Sequence, residues 1–247
     1  MLPIKAMILA AGRGERMRPL TDRTPKPMLP VRGKPLMQWP VEALAREGFT
    51  DLVINTAWLG DQISDYFDPI GISNNNYPLS NAEQKTLKLH FSHEGRDFGE
   101  ALETAGGIVR ALPHLGERFW VLAGDVFAPD FVFSPAAVER FVQSRQLAHL
   151  WLVPNPAHNP KGDFGLTSGG MLTNASEPRH TYSTIGLYHR DLFSAPYCNI
   201  SSGNPLGIKA ALAPLLRAAI AENRVSGELY SGAWTDVGTP ERLAQLG

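Results

Sequence analysis

The feature that most limits what this chain can become is its punctuation. Through about residue 153, short apolar runs alternate with helical stretches, and the breaks between them carry Gly, Pro or Asp. Ile4 to Leu9 predicts a buried strand that stops at Ala10-Ala11-Gly12-Arg13-Gly14. Further strands are predicted at Leu52 to Asn55, Leu87 to Phe91, Phe119 to Ala123 and His149 to Val153. Between them, helical spacing covers Leu36 to Glu47, Leu59 to Phe67, Glu103 to Leu112 and Ala136 to Gln146. Gly48 suits the end of the first helix, and Pro40 should kink or delay it. Such alternation implies right-handed βαβ units around a parallel sheet.

After Pro154 the rhythm changes. Gly162 to Thr167, His180 to His189 and Ala233 to Val237 predict short strands, with helices at Ile208 to Glu222 and from Pro240 onward. This half should add antiparallel strands and a lid, giving an α/β fold, Rossmann-like, with a mostly parallel mixed sheet flanked by helices. No linker or repeat divides the chain, so 1–247 is read as one domain. Residues 1–153 are read as its first portion and 154–247 as a smaller addition to it. The polar stretch Asp68 to Thr86, with Asn74-Asn75-Asn76, predicts a surface excursion.

Composition removes several classes. A net charge of -1 lacks the basic excess of a general nucleic-acid binder. A single cysteine, Cys198, excludes a disulfide framework and a Cys-rich zinc site. No early apolar run is long enough for a membrane span or a secretory signal, so a cytoplasmic chain is expected. His90 and His93 lie on or beside one strand, which aims them away from each other and makes no metal pair.

The densest chemistry lies in Leu9-Ala10-Ala11-Gly12-Arg13-Gly14-Glu15-Arg16-Met17-Arg18-Pro19-Leu20-Thr21, followed by Thr24-Pro25-Lys26-Pro27. Small residues after a strand let backbone N–H groups converge on an anion. Met17 stands where a dinucleotide fingerprint needs its third Gly, which argues against a nicotinamide oxidoreductase, and a Walker Gly-Lys-Ser/Thr is absent. Arg13, Arg16, Arg18 and Lys26 make the loop cationic although the whole chain is nearly neutral.

These residues resemble the signature of the nucleotidyltransferases that join a nucleoside triphosphate to a sugar 1-phosphate. Trp58-Leu59-Gly60, Gly162-Asp163-Phe164, Lys209 with Leu212-Ala213-Pro214-Leu215-Leu216, and Trp234-Thr235-Asp236-Val237-Gly238 extend the likeness over almost the whole chain. Of these, Trp58-Leu59-Gly60 and Gly162-Asp163-Phe164 resemble the branch that uridylylates N-acetylmuramate α-1-phosphate in cell-wall sugar recycling. The resemblance implies UTP and a sugar 1-phosphate as partners and Mg2+ as cofactor. It implies nucleotide contacts from Ala10, Ala11, Gly12, Gly14, Arg16, Lys26, Gly106 and Gly107, with Arg16 and Lys26 catalytic. Asp125 and Asp236 would hold the metal. Glu103, Asn155, Asp163 and Glu228 would border the sugar, Glu94 the base, and Trp58 would stack on the sugar or simply pack.

The chain departs from this pattern in three places. Residues 68–86 are longer and richer in Asn than the branch leads one to expect. The Glu-Lys-Pro of many hexose-type relatives is missing, leaving Lys161 and Lys209 as alternative holders of the sugar phosphate. Ala105 stands where the branch has Gly, an Ala shared with some guanylyl- and adenylyltransferases. Mannose 1-phosphate with GTP is therefore a competing substrate pair. A catalytically silent nucleotide-sugar sensor is a competing class, which has no need of Arg16, Lys26, Asp125 and Asp236 together.

Overall fold

The computed structural model describes residues 4–67, 87–175 and 177–247. The predicted excursion at 68–86 lies outside the described residues. In chain order the strands are β1 (Lys5–Ala10), β2 (Pro30–Val31), β3 (Lys34–Pro35), β4 (Asp51–Thr56), β5 (Lys88–His93), β6 (Arg118–Ala123) and β7 (Val126–Phe127). They continue with β8 (Ala148–Val153), β9 (Phe164–Leu166), β10 (Leu172–Thr173), β11 (Arg179–His189), β12 (Val225–Leu229) and β13 (Thr235–Asp236). The helices are α1 (Gln38–Arg46), α2 (Gly60–Phe67), α3 (Glu94–Phe98), α4 (Glu103–Ala111), α5 (Pro135–Gln143), α6 (Leu212–Ala221) and α7 (Pro240–Ala244).

One large sheet runs β10-β9-β11-β6-β1-β4-β5, with β8 pairing β11 and β12 pairing β8. β6, β1, β4 and β5 are mutually parallel, as the alternation requires. β11 enters antiparallel between β6 and β8. The parallel series therefore ends at β6 instead of continuing into β8, and the sheet is mixed.

Period-two alternation explains why both faces are buried. Ala6, Ile8 and Ala10 of β1, with Ile54 and Trp120, pack against Val41 and Leu44 of α1, Ile63 and Phe67 of α2, and Val138 and Phe141 of α5. Met7, Val53, Phe119 and Val121 face the other way, onto Ile108 and Val109 of α4 and Leu215, Leu216 and Ala219 of α6. A strand buried on both sides must be apolar throughout, and the early runs are.

Two helix expectations shift for local reasons. Pro40 sits in the first turn of α1, where its missing N–H is not needed, and the helix starts at Gln38 instead of Leu36, the delay of the two alternatives. The helix expected from Ile208 begins only at Leu212. Before it, the Ala210 carbonyl accepts the backbone N–H groups of Ala105 (2.8 Å) and Gly106 (3.1 Å), which extended backbone at 208–211 makes reachable. The Asn204 carboxamide fixes that segment by accepting from the Ile208 N–H at 2.9 Å and donating to the Ile208 carbonyl at 2.8 Å.

This contact makes Gly106 a packing residue. A Cβ there would lie 2.6 Å from the Ile208 carbonyl oxygen and 3.1 Å from the Ala210 nitrogen. Alanine favours a helix over glycine by about 1 kcal/mol. Gly106→Ala should nonetheless lose about 1–3 kcal/mol, as overpacked sites do. Urea denaturation reads this directly, and an unchanged or higher midpoint would show that the 208–211 segment yields.

Candidate functional site

The carboxyl ends of the parallel strands open onto a cavity of about 690 Å3. Leu9 to Gly12 after β1, Asn55 of β4, Glu94 after β5, and Ala123 and Asp125 after β6 all line it. This is where an open α/β sheet binds ligands. The far wall comes from the antiparallel half, with Asp163, Phe164, Tyr182 and Thr184, and from Leu212, Leu216 and Arg217 of α6.

The Gly-rich loop is built from its own side chains. Gly14 has φ of 68°, and a Cβ there would press on Thr21 at 3.0 Å and on the stem of Lys26 at 3.2 Å. Glycine is thus required both by conformation and by the nearness of Lys26. The Thr21 hydroxyl donates to the Gly14 carbonyl at 2.9 Å. Its carbonyl accepts from Arg13 at 3.0 Å and from the Trp58 indole at 2.8 Å. Arg13 also lies 3.6 Å from the Trp58 ring centroid, so Trp58 supports the loop from outside the cavity.

The loop's cations divide by task. Arg13 and Arg18 share Asp22, at 3.2 and 2.8 Å. The Lys26 ammonium is bonded to Asp125 across the cavity. Arg16 is exposed and has no partner among the described residues; it stands outside the cavity lining, on a short 3-10 turn. Backbone N–H groups of Ala11 and Gly12 make no hydrogen bond among the described residues and are left for a ligand.

Asp236 is adjacent to Asp125 through the β7–β13 pair. The Val237 N–H donates to the Asp125 carbonyl at 2.9 Å, and Asp236 lies opposite Val126. Its carboxylate accepts from Arg242 at 2.6 Å and meets His158 Nε2 at 3.1 Å. Among the described residues no group of three or more His, Cys, Asp or Glu side chains is gathered for a metal. Of the two aspartates that this backbone pairing brings together, Asp125 lines the cavity and Asp236 does not; hard carboxylate oxygens are the donors a magnesium-type site takes.

Beneath the loop lies a relay with no freedom. Asn55 Oδ1 accepts the Ala10 N–H at 2.9 Å, and its Nδ2 donates to Glu94 at 2.7 Å. The other Glu94 oxygen accepts the Leu102 N–H at 2.8 Å. Glu94 has no exposed surface as a residue, and burial pushes its carboxyl above the usual range against the pull of these two bonds.

The structure places the other expected residues unevenly around the cavity. Gly106 and Gly107 lie inside α4 and do not line the cavity; a Cβ on Gly107 would sit 2.5 Å from Glu94, so this glycine leaves room for the relay. Glu103 and Thr104, just before them, do line it, Glu103 with a left-handed φ of 59°. Asn155 is consumed within its loop, accepting from Thr181 at 2.9 Å and donating to the Arg179 carbonyl at 3.0 Å. Glu228 accepts the Trp151 indole at 2.6 Å, away from the cavity. Asp163 lines the cavity, with one carboxylate oxygen held by the Tyr182 N–H at 2.8 Å. Neither Lys161 nor Lys209 lines it, and Lys209 pairs with Glu100 at 2.5 Å. Arg217 does, a cation that motif reading passed over although it directly follows Leu215-Leu216.

With this geometry in hand, likeness to known proteins decides the family. A model of the nucleotidyl transferase family matches residues 5–246. The chain belongs to that family. It is 44% identical over 246 residues to an N-acetylmuramate alpha-1-phosphate uridylyltransferase of Neisseria meningitidis, covering 98% of this chain and 96% of that one. It is 26% identical to the mannose-1-phosphate guanylyltransferase catalytic subunit beta of Dictyostelium discoideum, covering 96% of this chain and 62% of the relative. In fold it matches a structure of HddC from Yersinia pseudotuberculosis with GMP-PN at a TM-score of 0.68 and 17% identity, covering 98% and 97% of the two chains. A Bacillus anthracis structure described as a glucose-1-phosphate thymidylyltransferase matches at 0.72 and 22%, covering 98% and 93%. The nucleotidyltransferase fold expected from the sequence is therefore the fold of the chain.

The Glu94 carboxyl yields a pH test. Its raised folded value means that the native state holds the proton more tightly than the unfolded chain, so its contribution falls as pH rises above about 4. Glu94→Gln removes the titration. The stability of this variant minus that of the wild type should rise from about pH 4 to neutrality. A difference that stays flat across that range would place Glu94 in a better-solvated setting.

Proposed function

We propose that this enzyme transfers a uridylyl group from UTP to N-acetylmuramate α-1-phosphate, releasing pyrophosphate and UDP-N-acetylmuramate. One observation carries the reading: Lys26, fixed by the Gly14 loop, meets Asp125 at the carboxyl end of the parallel strands. The 44% identity to the Neisseria relative along nearly the full length of both chains supports the choice of substrates. The setting would be cell-wall sugar recycling in the cytoplasm. On this reading residues 1–153 hold the nucleotide and residues 154–247 the sugar.

A phosphate oxygen of the sugar 1-phosphate attacks the α-phosphorus of UTP. A new P–O bond forms as the α–β bridge breaks, and pyrophosphate leaves with the electron pair. Both reactants are anions, so positioning and charge neutralisation are the protein's main work. Lys26 would exchange Asp125 for the α-phosphate and the attacking phosphate. Ala10, Ala11, Gly12 and Gly14 shape the loop, and the backbone N–H groups of Ala11 and Gly12 are placed to receive phosphate oxygens. Arg16, unpaired on the same loop, would swing onto the leaving pyrophosphate. Asp125 and Asp236 would hold Mg2+, which when bound supplies positive charge against the phosphates. Glu103 and Asp163, both in the lining, would accept hydrogen bonds from sugar hydroxyls.

A pyrophosphate-release assay over four triphosphates and several sugar 1-phosphates, with Mg2+ present, tests the reading. Release should be greatest with UTP and N-acetylmuramate α-1-phosphate. Release only with GTP and mannose 1-phosphate would replace that substrate pair, and no release with any pair would favour a silent sensor. Lys26→Ala should lower kcat about 10²–10³-fold, the scale of removing one transition-state donor, without loss of the folded state. Unchanged turnover would reduce Lys26 to a partner of Asp125.

A further inference from the structure

The cavity holds a charge that the transfer chemistry does not use. Its lining carries two cations, Lys26 and Arg217. Lys26 is paired with Asp125, whereas Arg217 has no carboxylate partner among the described residues. Its guanidinium lies 5.2 Å from the centroid of the buried Phe164 ring, and Asn174 Oδ1 is a distant 3.4 Å away. Such stacking restricts a planar guanidinium while leaving its donor edge open.

Arg217 also stands in the other half of the fold. Lys26 follows β1 among the carboxyl ends of the parallel strands, while Arg217 projects from α6, which packs on β10 and β12. Phe164, Leu212 and Leu216 give its wall an apolar part, Asp163, Tyr182 and Thr184 a polar one, and Arg217 itself is exposed. A free cation in such a wall recognises an anion, and its planar fork favours a carboxylate or phosphate held by two bonds. The phosphates already have Lys26 and the loop N–H groups at the opposite end.

We propose that Arg217 is a specificity-determining residue that binds a carboxylate on the sugar ring, so that the acceptor is an acidic sugar 1-phosphate. This rests on the proposed function and deepens it. N-acetylmuramate differs from N-acetylglucosamine by a lactyl ether, whose carboxylate is the group Arg217 would take. The assignment also accounts for the lack of a cavity-lining lysine at position 161 or 209: the second cation serves the substituent of the sugar, not its phosphate.

Steady-state pyrophosphate release with UTP and three acceptors tests it: N-acetylmuramate α-1-phosphate, its lactyl methyl ester, and N-acetylglucosamine α-1-phosphate. Arg217→Ala should raise KM for the first by about tenfold or more, the scale of a charge-assisted pair, with kcat nearly kept. KM for the other two should change little, because they lack the anion. On the wild type, esterification should cost about the same factor as the substitution, and on Arg217→Ala nothing further. Arg217→Lys should recover part of the loss. An equal loss on all three acceptors would make Arg217 a phosphate or structural contact, and no loss on any would leave it a bystander; either overturns this inference alone. Wild-type turnover of no sugar 1-phosphate at all would overturn the proposed function, and this inference with it.

Discussion

A carboxyl group sealed from water, Glu94, fixes how four chain segments meet. Asn55 at the end of β4 reaches both the Ala10 N–H at the end of β1 and Glu94 after β5, and Glu94 in turn holds the Leu102 N–H before α4. Burying an ionisable group costs several kcal/mol unless its lone pairs are met, and hydrogen bonds to a charged group return about 1.5–3 kcal/mol each. The relay tolerates no slack, which is why α4 has Gly107 where a Cβ would collide with Glu94. The Gly-rich loop thus begins at a backbone position held by the neighbouring strand, and hydrogen bonds fix the cavity floor.

Above that floor the charges neutralise one another. Lys26 lies on Asp125, and Asp236 lies between Arg242 and His158. An isolated ion in a cavity of this kind pays heavily for lost hydration. On the proposed reading, substrate binding is then an exchange of partners: an anion takes Lys26 and a cation takes Asp125. Neither leaves an uncompensated charge behind, and the side chains need only small movements. Arg16 and Arg217, which have no carboxylate partner to exchange among the described residues, are open to groups that come only with a substrate.

The alternation of the early chain was enough to read the parallel half, because a strand buried on both faces has few sequence solutions. The order of strands beyond β6 was not legible. A period of two says which side chains share a face, not which strand lies alongside, and β11 won the place next to β6 that sequence order suggested for β8. The break after β1 was legible because its glycines and prolines act on their immediate neighbours, whereas the 3-10 turns within it were not. The surroundings of Asn155 and Glu228 were not legible either. Polar residues in a motif look the same whether or not a nearby backbone carbonyl or indole already bonds them, as happens to both here. Arg217 went unseen because a cation on an amphipathic helix is normally a solvated surface charge; only packing reveals that it faces a cavity.

The two halves of the cavity share one sheet, and this has a consequence for selectivity. Lys26 is anchored after β1, and the opposite wall is anchored by β11, whose pairing with β8 shifts register between Tyr182 and Gly186. At that bulge Thr184, which lines the cavity, takes a left-handed φ of 65°, and its buried hydroxyl has no partner among the described residues. Bulges re-aim side chains near functional sites, and strain persists only where surroundings enforce it. Because β1, β6 and β11 are consecutive in the sheet, backbone hydrogen bonds set the separation between the Lys26 side and the opposite wall. On the proposed reading, an acceptor is therefore measured against a fixed ruler. One that reaches Lys26 but presents nothing to the far wall forfeits binding there, since a hydrogen-bonded sheet cannot contract to meet it.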